Sequence, residues 1–359
     1  SQMVEHNGKW YWYVSILEAG TRSNTIAVAV ADDPQGPWKD AIGGPLAKGW
    51  SFIDPTVFVD DDGSAYLFWG NKGCWYGKLN DDMISFADGW KEVPGFHDPA
   101  CFGPESMKMD WSIRKEVMMV GYEEGPWVTR RGDLYYAVYP AGGVPEYMAY
   151  STAPTVDGPW TFRGRIMDEA QNSFTIHGGN ITYRGKDYMF YHNGMLPNGG
   201  GFRRATAVEE FKFNEDGTIP FIPFTSKGVD PVGTINPYQR VEGETMSQSW
   251  GVKFDRLAGE EHYVTSIHNG DWIRIREVNF NNASVKTLTA GICNYKNAGT
   301  IDFFLDRLDG QPFASVKVND FLTTFDAKIR KAPEGIHDVY VLFRGGDEEL
   351  FDFDWWQIK

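Results

Sequence analysis

Two acidic residues in this chain sit where a break in the backbone would aim a side chain in one fixed direction. Glu124 lies in YEEGPWV, residues 122–128, just ahead of a Gly-Pro pair and an aromatic run. Pro126 fixes its own φ and lacks an N–H, and Gly125 accepts angles closed to other residues, so the chain bends there. Asp54, in SFIDPTVFV, precedes Pro55 and a second apolar run 70 positions earlier. Each residue alone is equally compatible with a solvated turn. If the two share a cavity, one protonated carboxyl can donate to a leaving oxygen while another carboxylate acts on water, which is the chemistry of glycoside hydrolysis.

Whether they share a cavity depends on the strands behind them, and one pattern recurs: a Gly-containing turn, an aromatic strand, a second strand and a turn ending in Gly-Pro-Trp. The first copy, residues 7–38, reads NGKWYWYVS and then IAVAVADDPQGPW, with Trp10, Trp12 and Val14 alternating with Tyr11 and Tyr13 as in a strand with two buried faces. RGDLYYAVYP and MAYSTAPTVDGPW repeat it at 131–160. DPTVFVDDDGSAYLFWG (54–70) lies between them, and YRGKDYMFYHNG (183–194) follows. Each of these four units is too small to bury both faces alone, so neighbours must stack, and stacking around an axis makes a β-propeller. Asp54 and Glu124 occupy the same phase of their units and would therefore face one central cavity. The run Asp60-Asp61-Asp62-Gly63 has adjacent rather than alternating carboxylates, which suits a hairpin turn and not a calcium loop.

The composition supports an all-β reading: of 359 residues, 14 are Trp, 17 Tyr, 24 Phe, 40 Gly and 19 Pro. A net charge of −15 opposes binding to nucleic acid or anionic membranes, both of which select a basic face, and no apolar run is long enough to span a bilayer. A neutral ligand such as a sugar, stacking on aromatic rings, fits better. Cys74, Cys101 and Cys293 fall in no paired or zinc-binding spacing and read as small buried hydrophobes. The chain begins within a strand-like run, without an initiating methionine, from which a longer parent protein is expected. After residue 220 the periodicity ends in FIPFTSKGVDPVGTINP. The expected organisation is therefore a first domain over 1–227, a linker over 228–237 and a second domain over 238–359, where seven strand candidates suggest a β-sandwich.

These stretches resemble a known family. IDPTVFVDDDGSAYLFWG, EGPWV with its following YY strand, STAPTVDGPW, SFTIHGGNI and GGGFRRATAVEEF look like glycoside hydrolase family 43 over about residues 1–225. The resemblance implies a five-bladed β-propeller and inverting hydrolysis of arabinose- and xylose-containing plant cell-wall polysaccharides by a secreted or periplasmic enzyme that needs no cofactor for catalysis. It makes Glu124 the general acid and Asp54 the carboxylate that orients it and raises its pKa; Glu123 is the rival acid. Arg204, with Arg203 as the alternative, matches an active-site arginine or a strand-edge charge. His177 matches a cavity histidine that in some members lies beside a metal ion, which extends the calcium expectation to this cavity, and a hydrogen-bonded core histidine is the other reading. The family's general base, an aspartate in an Ala-Asp-Pro motif, has no counterpart. Ala31-Asp32-Asp33-Pro34 falls at an outer turn, so the first blade is expected to be missing, about four blades to be present and activity to be impaired.

The second domain resembles a family 6 carbohydrate-binding module, a jelly-roll sandwich, through VEGE, IHNGDWI, GIHDVYVLF and LFDFDWWQIK. The resemblance implies a structural calcium held by Glu242, Glu244 and Asp354, which could otherwise be surface acids. Ser266, Phe321 and Asp352 stand where such modules carry stacking and hydrogen-bonding residues, so its sugar cleft is expected to be remodelled. Without turnover, both domains would act as lectins.

Overall fold

The computed structural model describes residues 1–359 other than 22, 104–120, 197, 227, 257–261 and 282–283. The expected end of the first domain, residue 227, and the first residue of one expected strand, 283, lie outside the described residues. The chain divides into two compact units, Ser1–Val229 and Asp230–Lys359.

In the first unit each repeat folds as one antiparallel sheet with its strands in chain order, save that the last strand of the first sheet pairs back with the third. The first sheet contains β1 (Gln2–His6), β2 (Lys9–Leu17), β3 (Asn24–Ala31), β4 (Lys39–Asp40) and β5 (Ala47–Gly49). The second contains β6 (Thr56–Val59), β7 (Ala65–Trp69), β8 (Trp75–Lys78) and β9 (Lys91–Glu92). After a short helix, α1 (Pro99–Phe102), the third contains β10 (Trp127–Arg131), β11 (Leu134–Ala141), β12 (Tyr147–Ala153) and β13 (Thr161–Met167). The fourth contains β14 (Gly178–Tyr183), β15 (Lys186–Asn193) and β16 (Ala205–Phe211). The DDDG run is the β6–β7 turn, closed by the Gly63 amide donating to the Asp60 carbonyl at 2.9 Å.

Period-two alternation explains why these strands are so aromatic. Val57 and Leu67 of the second sheet pack with Tyr13, Ile26 and Val28 of the first, while their neighbours Phe58 and Phe68 point the other way, to Tyr135 and Tyr139 of the third. In β11, Tyr136 and Val138 face the opposite side from Tyr135 and Tyr139 and join Met189 and Tyr191 of the fourth sheet. The second and third sheets are thus each the wall of two cores, and each buried ring contributes about 1.5–3 kcal/mol by leaving water. The strand β2 departs from this expectation. Tyr13 is fully buried, but Trp10 and Trp12 are half-buried and Leu17 is 65 % exposed, because only one face of β2 meets a neighbouring sheet among the described residues.

The first strands of successive sheets lie side by side: β1 beside β6, β6 beside β10, and β10 beside β14. Gln2 of β1 ties the first pair by accepting from the Val57 amide at 3.0 Å. Whatever precedes each first strand is therefore brought towards its counterparts in the other sheets.

The second unit has two antiparallel sheets enclosing one core. Ile273, Phe303 and Val341 come from the five-stranded sheet, and Leu288, Phe353 and Trp356 from the six-stranded one. Its described residues form eleven strands, β17–β27, where the sequence suggests seven: Val241–Glu242, Gln248–Trp250, Lys253–Arg256, His262–Thr265, Trp272–Phe280, Thr287–Tyr295, Gly299–Leu305, Ala314–Val318, Thr324–Lys328, Gly335–Gly345 and Phe351–Ile358. The unforeseen β18, β19 and β25 are short, polar edge strands with little apolar periodicity to read, and one long candidate splits into β20 and β21 at the Ser266–Gly270 turn. The three cysteines are free, Cys74 buried and the other two half-buried. No helix among the described residues is long and apolar enough to cross a membrane.

Candidate active site

Three sequence-derived residues sit at one structural phase. Asp54 comes two residues before β6, Glu124 three before β10, and His177 immediately before β14. Asp54 adopts a left-handed backbone (φ 57°), tolerable for aspartate, and its amide donates to Ser15 Oγ at 2.8 Å. The segment holding Glu124 is anchored on both sides. Tyr122 donates its hydroxyl to the Gly70 carbonyl at 2.7 Å, and the Glu123 amide donates to the Pro140 carbonyl at 2.8 Å. Gly125 takes φ 54°, and a Cβ there would lie 2.6 Å from His177 Nδ1. Only glycine lets the histidine ring pass this close beside the acid.

The outcome is a tight constellation. Ligand atoms of Asp54, Glu124 and His177 all lie within 4.8 Å of one another. Glu124 Oε1 is 2.8 Å from His177 Nε2, and Glu124 Oε2 accepts from Asn71 Nδ2 at 2.5 Å. Arg204 joins from the start of β16: its Nη1 donates to Thr175 Oγ1 at 2.5 Å and lies 3.5 Å from His192 Nε2. The His192 ring stacks on His177 with centroids 5.5 Å apart. Arg203, the alternative to Arg204, instead closes a turn with Gly200 through two backbone hydrogen bonds of 3.0 Å. Asp32 and Asp33 lie exposed in the turn after β3, away from the strand starts, as their outer-turn assignment implies.

The electrostatics overturn one expectation, that Asp54 raises the pKa of Glu124. Burial is the largest influence on Glu124 and pushes its pKa up, but the hydrogen bond and charge of His177, with Asn71 and Glu146, outweigh it and hold the carboxyl below its ordinary range. Asp54 is the group that rises, through burial first, with Glu124 adding to the rise and His177 opposing it. Its Oδ2 is buried without a hydrogen-bond partner. Of the two carboxylates, the one in contact with a histidine stays ionised more readily, and the unpartnered one takes the proton. Glu123 is also buried, 3.6 Å from Lys72 Nζ, and burial raises its pKa.

Several residues of the site escaped the sequence reading. Glu146 is 1 % exposed, its Oε2 accepts from the Ile176 amide at 2.9 Å, and burial, then the charge of Glu124, push its pKa up to about 10. It is protonated at neutral pH and can donate a hydrogen bond to Glu124. The available signal is a lone acid opening the otherwise apolar strand YMAYSTA. His192, lowered to about 4 chiefly by burial and then by His177 and Arg204, is neutral. Asn71 in GNKG and Thr175 in SFTIHGG carry no signal beyond their turns, since only the stacking of sheets reveals them.

For cations, Asp54, Glu124 and His177 form the only group of three potential ligands this close among the described residues. They offer too few oxygens for calcium, which takes about six to eight, so most of its shell would have to be water. In the second unit, Glu242 and Asp354 share Arg240, which donates at 2.9 Å to Glu242 Oε2 and at 3.1 Å to Asp354 Oδ1. Glu244 Oε2 is buried without a hydrogen-bond partner, as an oxygen reserved for a cation would be. That atom fits a calcium site, whereas the other two acids would have to release Arg240 to join it.

Comparison with known proteins bears on both units. The model of "Glycosyl hydrolases family 43" matches residues 1–219, and that of "Carbohydrate binding module (family 6)" matches 242–359. An arabinoxylan arabinofuranohydrolase of Bacillus subtilis is 28 % identical over 390 residues, covering 98 % of this chain and 73 % of its own length. The crystal structure of a family 43 arabinoxylan arabinofuranohydrolase from Bacillus subtilis, in complex with cellotetraose, superposes with a TM-score of 0.77 over 100 % of this chain and 78 % of that one, at 24 % identity, and so shows the fold. A family 43 β-xylosidase/α-arabinofuranosidase from a compost microbial metagenome, in complex with xylotriose and in its calcium-free form, is 27 % identical with a TM-score of 0.52 over 62 % of this chain and 72 % of that one. Propeller-type architecture, the clustered acids and the family match over 1–219 agree: the chain belongs to glycosyl hydrolase family 43, a glycosidase family, and carries a family 6 carbohydrate-binding module at its C-terminal end.

Proposed function

We propose that this protein is an inverting glycoside hydrolase that releases arabinofuranosyl or xylosyl units from arabinoxylan-type plant cell-wall polysaccharides. The observation that carries this reading is the convergence of Glu124 and Asp54, from two successive sheets, with His177 between them and Arg204 beyond. In the reaction the glycosidic C–O bond breaks, Glu124 gives its proton to the departing oxygen, and water adds to the anomeric carbon from the opposite face while its surplus proton passes to solvent water. A glycosidic oxygen entering between Glu124 and His177 would take the place of the hydrogen bond that depresses the Glu124 pKa. The proton that Asp54 attracts in the empty site would then pass to Glu124, which is where the acid step needs it. The test is release of arabinose or xylose from arabinoxylan oligosaccharides, with loss of release in Glu124→Gln. Binding of the oligosaccharide without any release, with azide also failing to restore turnover of an activated pentoside, sinks the hydrolase reading.

A second reading, a lectin-like protein that binds carbohydrate without turning it over, is favoured by one observation. Asp32 and Asp33, the superficial match to the family's general base, are exposed beyond β3, so no residue is assigned to activate water. Azide separates the readings. If only the base is lacking, azide supplies the nucleophile and restores turnover of 2,4-dinitrophenyl pentosides; a lectin stays inert.

We further propose that the four sheets of the first unit are blades of a five-bladed propeller, supported by the half-exposed outer face of β2, and that the second unit is a jelly roll. Domain limits of 1–227 and 238–359 about a 228–237 linker, secretion, and a structural calcium at Glu242, Glu244 and Asp354 complete the proposal. A calorimetric titration with calcium tests the last of these.

A further inference from the structure

We propose that Phe174 and Phe202 form the platform on which the sugar ring on the leaving-group side of the scissile bond stacks, and that they set preference for polymeric over small leaving groups. The inference deepens the glycosidase reading and rests on it. Phe174 is 48 % and Phe202 68 % exposed, large values for aromatic side chains, and the two rings meet edge to face with centroids 5.2 Å apart. A continuous path of contacts joins them to the acid. Glu124 touches His177, His192 stacks on His177, Arg204 Nη1 lies 3.5 Å from His192 Nε2, and the Arg204 guanidinium carbon lies 5.8 Å from the Phe202 ring centre. The pair therefore stands outward of the reacting acids, beyond Arg204.

The Phe174 backbone is held by bonds that do not depend on ligand. The Phe174 amide donates to the Gly201 carbonyl at 3.1 Å, and the Phe174 carbonyl accepts from the amide of Glu146 at 3.1 Å. Gly201 has φ 61°, and a Cβ there would come within 3.3 Å of the Phe174 ring. The missing side chain at 201 lets the two aromatic segments close on each other. A pyranose presents an apolar C–H face ringed by hydroxyls. An aromatic face beside a guanidinium with free directions to donate matches both features. Two rings suffice for one sugar and fall far short of the roughly 800 Å² per partner of a stable protein interface.

The test compares kcat/KM on arabinoxylan with kcat/KM on an aryl pentoside for Phe202→Ala and Phe174→Ala, using the whole chain. The expected result is an arabinoxylan-to-aryl ratio about ten-fold below that of the parent protein, with Phe202→Trp restoring it. An unchanged ratio overturns the proposal. An activity-free arm measures xylotriose binding in the Glu124→Gln protein with and without Phe202→Ala. A dissociation constant raised about ten-fold supports the platform, and equal constants overturn it. If the parent protein hydrolyses neither substrate, the glycosidase reading fails, while the xylotriose arm still decides the platform. Both rings are well exposed, and the melting temperature of each variant identifies any misfolding.

Discussion

Two groups of three residues, one in each unit, stood out in the sequence as potential ligands, and they behave differently. Asp54, Glu124 and His177 converge within 4.8 Å. Glu242 and Asp354 share Arg240, while Glu244 buries an unpartnered oxygen. The first trio converges because each member precedes the first strand of a repeated sheet and those first strands run side by side. The second trio has no such repeat behind it. Asp354 is the extra residue of a bulge in β27, where Trp355 and Phe353 pair with the consecutive residues Gly291 and Ile292, and its carbonyl is taken by the Gly243 amide at 2.5 Å. Equivalent phase in stacked sheets is thus a stronger predictor of a shared site than chemical type.

The most damaging way to break the first trio is Glu124→Gln, which should lower kcat/KM on arabinoxylan by about 10²- to 10⁴-fold, the usual worth of a general acid, in steady-state assays. Gly125→Ala leaves every carboxylate in place but puts a methyl 2.6 Å from the His177 ring and an L-residue at φ 54°. It should cost about 1–2 kcal/mol of stability by denaturant titration and, by shifting His177, reduce activity about ten-fold. If its activity matches the parent's, the histidine does not tune the acid.

A third comparison uses pH. The folded-state pKa of Glu146, about 10, lies above its unfolded value, so its contribution to stability is complete below the unfolded carboxyl range and is lost as pH rises towards 10. At pH 7 the resulting penalty is roughly 4 kcal/mol at most. Glu146→Gln keeps a donor and has no charge to bury, so its melting temperature should vary less between pH 5 and 9 than the parent's. Parallel curves would contradict the buried-acid assignment. Glu124 works in the other direction: its folded pKa is depressed, so its contribution is present above the unfolded carboxyl pKa and is lost as pH falls through the folded value.

The smallest effect belongs to the second trio. Calcium should raise the thermal transition of the C-terminal unit by a few degrees, and Glu244→Gln should remove that increment. A transition insensitive to both calcium and chelator would leave the unpartnered oxygen of Glu244 without a role.

The sequence was most informative where local and repeated signals coincided. Alternating aromatics marked sheets with two cores, and the Pro and Gly breaks at 55 and 125–126 marked where carboxylates would be held. It was least informative where the third dimension alone decides. Glu146 reaches Glu124 from the strand beyond its own hairpin, Asn71 from a turn in the previous sheet, and His192 by stacking across β14 and β15. The reversed pKa order of Asp54 and Glu124 follows from the burial of Asp54 and from the contacts of Glu124 with His177, Asn71 and Glu146, which no spacing rule contains. The β2 strand looked doubly buried because its residues alternate as in the other sheets, yet burial depends on a neighbour as well as a pattern.

The most direct test of Glu124 as the acid is the dependence of the Glu124→Gln defect on the leaving group, measured as kcat/KM on pentosides from 2,4-dinitrophenol to xylo-oligosaccharide. A proton donor matters little to a good leaving group and greatly to a poor one. The expected result is near-parental activity on the dinitrophenyl pentoside and a loss of at least about 10²-fold on the oligosaccharide. An equal loss across the series, or none, would contradict the assignment of Glu124 as the group that protonates the departing oxygen.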